Sequence, residues 1–191
     1  MDSNALVPWN RYALITELAR RLAPKSPQFG KTALQKIVYF LTDLFEIPTG
    51  YEFEFYNYGP FSSQLHHDLD LVAHIGGVVV EDYSAEFAGY VISPGERADA
   101  LIEKGAEFIH SSEVDKAISR VVDEFGDYNA SDLELRATIL FVDRDLAARR
   151  KTATKDNIID IVEKLKPRFE RYDIEIALEE MASCEYLHCC N

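Results

Sequence analysis

Apolar residues recur at steps of three and four along most of the chain, broken by two stretches of alternation. From Pro8 to Leu22, Tyr12, Ile15, Ala19 and Leu22 share one face, which predicts a helix. Pro24, Ser26, Pro27 and Gly30 interrupt it. A second helix carries Leu34, Ile37, Val38, Leu41 and Phe45, and Pro48 and Gly50 end it. Tyr51, Phe53 and Phe55 then alternate with Glu52 and Glu54, which predicts a strand over 51–57. Gly59-Pro60 predicts an abrupt stop, with Pro60 as an early residue of a third helix built on Leu65, Leu69, Val72 and Ala73. Gly76-Gly77 closes that helix. Val78–Val80 and Phe87–Ile92 predict two strands joined by a polar turn. Ser93-Pro94-Gly95-Glu96 reads as a capping box that opens another helix.

Beyond a soft boundary at 105–112, the pattern is helical throughout. Val114, Ala117, Ile118, Val121 and Phe125 form one stripe, ended by Gly126. Ser131-Asp132-Leu133-Glu134 reads as a second capping box, before Leu133, Ala137, Leu140 and Phe141. Ile158, Ile161, Val162 and Leu165 make the next helix, which Lys166-Pro167 ends. Asp173 is expected to cap a last helix with Ile174, Ala177, Leu178 and Met181. A third helix followed by a hairpin and another helix is the order of a winged-helix unit. The last three helices have a tri-helical arrangement. The expected fold is α+β and predominantly helical: a winged-helix-like unit with a β-hairpin over 1–110, and a C-terminal tri-helical unit over 111–191 packed on it.

The chain has 191 residues, 47% hydrophobic and 28% charged, which suits a globular protein. Its formal charge is −13. A start of Met1-Asp2 without a basic, then apolar, leader predicts a cytoplasmic protein, and no apolar run is long enough for a membrane helix. Cys184, Cys189 and Cys190 all lie near the C-terminus, which fits a reducing compartment.

Lys31-Thr32-Ala33-Leu34-Gln35-Lys36-Ile37-Val38-Tyr39-Phe40, then Tyr56-Asn57-Tyr58-Gly59-Pro60-Phe61-Ser62 and Leu65-His66-His67-Asp68-Leu69, resemble the YwgA-like proteins, related to the Panacea (SocA-like) antitoxin domain. Leu133–Ile139 and Lys166-Pro167-Arg168-Phe169 are similar to the C-terminal half of that family, so the resemblance runs from about Ala5 to Leu187. It implies an adaptor or antitoxin-like protein that binds a toxin-like, defence or regulatory protein. The second helical unit departs from the simple antitoxin layout.

The charge pattern bears on the partner. From Ile37 to Glu96 there is no Lys or Arg, against ten acids. That stretch holds the helix and wing that would meet DNA, so phosphate neutralisation is missing there. Between Arg144 and Arg171 nine bases face five acids. This is either a solvated helix surface or an electrostatic dock, and Arg149, Arg150, Lys151 and Lys155 are the candidate nucleic-acid contacts of the alternative reading.

Tyr56 and Tyr58 fall on the strand face opposite the core, beside Glu52 and Glu54. Exposed Tyr next to acids suits protein contact. With Ser62, His66 and Asp70 they form the candidate partner-binding set, while Phe61 is expected in the core. His66 and Asp70 share a helix face and His67 points about 100° away, too few ligands for a metal site. The Cys184, His188, Cys189 and Cys190 tail lacks the separated ligand pairs of structural zinc. No nucleotide-binding or catalytic motif is present, so the expectation is a non-enzyme without metal or cofactor.

Overall fold

A computed structural model describes residues 8–26, 29–83, 89–151 and 153–188. Helices dominate: α1 (Trp9–Leu22), α2 (Lys31–Tyr39), α3 (Ser63–His74), α4 (Ala98–Lys104), α5 (Ala106–Ile109), α6 (Ser112–Phe125), α7 (Ala130–Ala148), α8 (Lys155–Leu165) and α9 (Arg171–Ser183). Two antiparallel hairpins interrupt them: β1 (Glu54–Tyr56) with β2 (Gly59–Phe61), and β3 (Val78–Tyr83) with β4 (Gly89–Pro94). The α+β, mostly helical class is therefore as expected. The turn between β3 and β4, at 84–88, lies outside the described residues, as do Cys189 and Cys190.

Helices α1 and α2 occupy the middle. The run Ala33–Leu41 has only Gln35 and Lys36 as polar residues and is buried on every side. It continues into one π-helical turn, Phe40–Leu44. α1 packs on α3, α4, α5, α6 and β4, whereas α2 packs on α7 and β2. Phe40 stacks on Phe125 of α6, with ring centres 4.3 Å apart. The soft boundary at 105–112 is thus filled by α5 and the start of α6, and one hydrophobic core runs across it. α7, α8 and α9 pack against one another.

The apolar stripe of α6 is buried as its spacing requires. Several element ends differ from expectation. Pro60 is not helical; it sits in β2 opposite Phe55, and α3 begins after Ser62, whose hydroxyl accepts from Leu65 N–H. Asn57 and Tyr58 make the hairpin turn at ordinary φ, and Gly59 at φ +83° supplies the single left-handed residue after it. The box at Ser93–Glu96 does not form, because Ser93 and Pro94 remain in β4 and α4 starts at Ala98. Asn129, not Ser131, caps α7, accepting from the N–H groups of Ser131 and Asp132. Glu134 is drawn inward instead. α9 starts at Arg171, before Asp173.

Candidate functional site

The β1–β2 hairpin is where the candidate residues meet, and its mount is made of polar side chains that spacing alone does not reveal. Gln35 of α2 uses both ends of its amide on one residue: Nε2 donates to Ser62 O at 2.9 Å, and Oε1 accepts from Ser62 N–H at 2.8 Å. Next to it, Lys36 Nζ donates to Pro60 O at 2.6 Å. From the other side, Lys166 Nζ donates to Asn57 O. Glu134, on α7, stands between the lysines. Its Oε1 is 2.8 Å from Lys166 Nζ and its Oε2 is 2.7 Å from Arg168 Nη2. Lys36, Glu134 and Lys166 are 1%, 2% and 4% exposed. Burial pulls the Lys36 ammonium down to about pH 8, with Glu134 pulling it upward and Lys166 downward.

The close fit extends to the backbone. A Cβ on Gly59 would lie 3.1 Å from Thr138 Oγ1, so β2 rests directly on α7. Opposite residues of a hairpin share a face, so Phe55 and Pro60 point inward and Glu54, Tyr56 and Phe61 outward. Phe55 accordingly packs against Phe141, ring centres 5.0 Å apart.

The outward face borders a hollow of about 220 Å³ between the hairpin, the start of α2 and α3. Leu34, Leu65 and Leu69 line it from the helices, and Tyr56, Tyr58 and Phe61 from the hairpin. Tyr56 and Tyr58 are each 63% exposed. The Phe61 ring lies 5.9 Å from that of Tyr56 and 6.0 Å from that of His66. Asp70 stands beside this group, 4.0 Å from His66 Nε2 and 3.9 Å from Lys31 Nζ.

Of the five residues expected on a partner surface, Tyr56, Tyr58 and His66 therefore line one hollow, and Asp70 is exposed beside it. Ser62 is a correction. It is buried, its hydroxyl caps α3 and its backbone is held by Gln35, so it supports the surface from below. Phe61 is a second correction: it is half-buried and forms a wall of the hollow. Gln35, Lys36, Glu134 and Lys166 were missed as a group because they meet only in three dimensions. The signal for two of them was present, as the only polar residues in the otherwise apolar run Ala33–Leu41.

A further polar set, centred on the buried Asp68, fixes α3. Asp68 accepts from Tyr51 Oη at 3.0 Å and from Gln64 Nε2 at 2.9 Å, and Arg11 Nε is 2.9 Å from its carboxylate. Burial and the Asp68 charge push the Tyr51 phenol far above its ordinary value.

Most of the basic C-terminal region is neutralised by neighbours. Arg144 pairs with Asp143, Arg149 with Asp145, Lys155 with Glu179, and Arg171 with Asp160, Glu163 and Glu175. Lys166 and Arg168 share Glu134. Arg150 and Lys151 are exposed at the end of α7. Among the described residues no three His, Cys, Asp or Glu side chains are grouped to hold a metal. Cys184 is exposed, and His188 N–H donates to Asp143 Oδ2 at 2.9 Å. No helix among the described residues is long and apolar enough to cross a membrane.

The chain finds no significant match among protein-family models or curated proteins.

Proposed function

We propose that the chain is a non-enzymatic regulator or adaptor of the cytoplasm, similar to Panacea-type antitoxins, that binds a toxin-like, defence or regulatory protein. One observation carries the reading. Two tyrosines stand mostly exposed beside an apolar hollow, on a hairpin whose backbone is held by Gln35, Lys36 and Lys166. Large rigid side chains held in place before binding lose little entropy on association, which is how interface anchors gain affinity. In this reading Tyr56, Tyr58 and His66 touch the partner and Asp70 flanks them. The order of α3, a hairpin and α4 supports a winged-helix-like description of the N-terminal unit, with α7–α9 as its tri-helical companion. Docking of nucleic acid through Arg149, Arg150, Lys151 and Lys155 has less support, because Arg149 and Lys155 already face acids.

The test is co-purification from the native host with the wild-type chain and with Tyr56→Ser/Tyr58→Ser. A partner retained by the first and lost by the second, at equal melting temperature, supports the reading. The same partner retained by both overturns it. Sequence-selective duplex binding at physiological salt, abolished by Arg150→Ala/Lys151→Ala, would establish the alternative.

A further inference from the structure

We infer that the hollow beside the hairpin takes one large apolar or aromatic side chain from a basic segment of a partner protein. This rests on the protein-binding reading and states its chemistry.

Size sets the first limit. The hollow measures about 220 Å³, below the roughly 300–1,000 Å³ of small-molecule sites. It has room for one side chain. Its walls then decide which kind. Leu34, Leu65 and Leu69 are apolar, and Tyr56 and Phe61 contribute aromatic rings. Two polar groups of its wall are already engaged. The Gln35 amide is used by Ser62 at both ends, and Lys36 Nζ by Pro60 O. A polar head inserted here would shed water and find no partner in these groups, whereas an apolar one gains by burial.

Charge decides the flanks. Glu54 lies across from Phe61 and on the same face as Tyr56. Asp70 stands at the α3 side, beside His66. Both are exposed, and no Lys or Arg occurs from Ile37 through Glu96. The two lysines that reach the hollow face other groups. Lys31 sits 3.9 Å from Asp70 and 4.2 Å above the Tyr90 ring, and Lys36 is buried. Asp70 is shared with Lys31, whereas Glu54 has no cation at ion-pair distance among the described residues, so residues on the hairpin side of the anchor meet an uncompensated acid, which favours Lys and Arg. The apolar walls disfavour a charged group as the inserted one, so the positive charge belongs beside the anchor.

A random dodecapeptide library displayed on phage provides the probe. Selection is on the immobilised full chain, after depletion on Tyr56→Ser/Tyr58→Ser. The enriched peptides are expected to share a central Trp, Phe or Leu with Lys or Arg around it. Replacing the central residue of a synthesised peptide by Ala should weaken binding at least about tenfold. Selection on Glu54→Lys/Asp70→Lys should move the flanks from basic to acidic. Acidic or anchorless winners, winners that bind the serine variant equally, or no enrichment overturn the inference. If peptides fail while the native partner still depends on Tyr56 and Tyr58, protein binding stands and only this chemistry falls. If the native partner ignores the tyrosines, the protein-binding surface itself is misplaced.

Discussion

Replacing Lys36 with methionine probes the buried mount directly. The side chain is almost fully enclosed, and its ammonium donates to Pro60 O. Burial lowers its pKa from 10.5 to about 8. The interval between those values corresponds to roughly 3 kcal/mol by which the folded state disfavours the charged form at neutral pH. In the unfolded chain the residue keeps its proton to about pH 10.5. Between about pH 8 and 10.5 the unfolded state therefore binds more protons, and the Lys36 contribution to stability rises with pH across that window and is flat below it. Tyr39 and Tyr51, raised by burial, act oppositely: their contribution is lost as pH climbs past 10. Subtracting the variant from the wild type cancels the tyrosines. Methionine removes the desolvated charge but leaves Pro60 O without this donor, at about 1–3 kcal/mol. The two effects oppose, so at pH 7 Lys36→Met should lie within about 2 kcal/mol of wild type. By pH 10.5 the wild type should have gained roughly 3 kcal/mol on it. Urea unfolding at intervals from pH 7 to 10.5 reads the difference. A flat difference, or a loss above about 5 kcal/mol at pH 7, would refute the assignment of Lys36 as a desolvated clamp and make it a stabilising partner of Glu134.

Glu134→Gln leaves Lys166 buried without its carboxylate and should cost about 3–5 kcal/mol in urea unfolding, less in a Lys36→Met background. Gly59→Ala should cost more than about 1 kcal/mol, because φ is +83° and the new methyl meets Thr138; an unchanged melting temperature would contradict that packing. Phe61→Ala should cost about 1–2 kcal/mol, less than a core phenylalanine, since one side of its ring faces the hollow. Tyr58→Ala and His66→Ala should move stability by about 0.5 kcal/mol or less while weakening partner capture.

Periodicity made the helices legible, and local chemistry did less well at their ends. Val114, Ala117, Ile118, Val121 and Phe125 needed only their spacing to be placed, because each answers to the same core. Ser131 and Glu134 had the right spacing for a capping box, yet Glu134 turns away to the buried Lys166 and to Arg168, and Asn129 sits one step before the helix. Pro60 could start a helix or occupy a short strand, and the carbonyl it offers to Lys36 goes with the strand. Tyr56 was legible as surface from alternation, whereas Tyr58 is exposed because it sits in the hairpin turn and not on a strand face. Phe61 was not legible, since its place depends on the register with Glu54, which a linear pattern does not contain.

The hairpin is gripped through the main chain at Asn57, Pro60 and Ser62, not through the side chains it displays. Its frame and its message are consequently separable. Substitutions at Glu54, Tyr56, Tyr58 and Phe61 can rewrite what the surface selects while the frame stays in place. A chain built this way can acquire a new partner by changing a few letters, and the same four positions are where a designer would begin to retarget it.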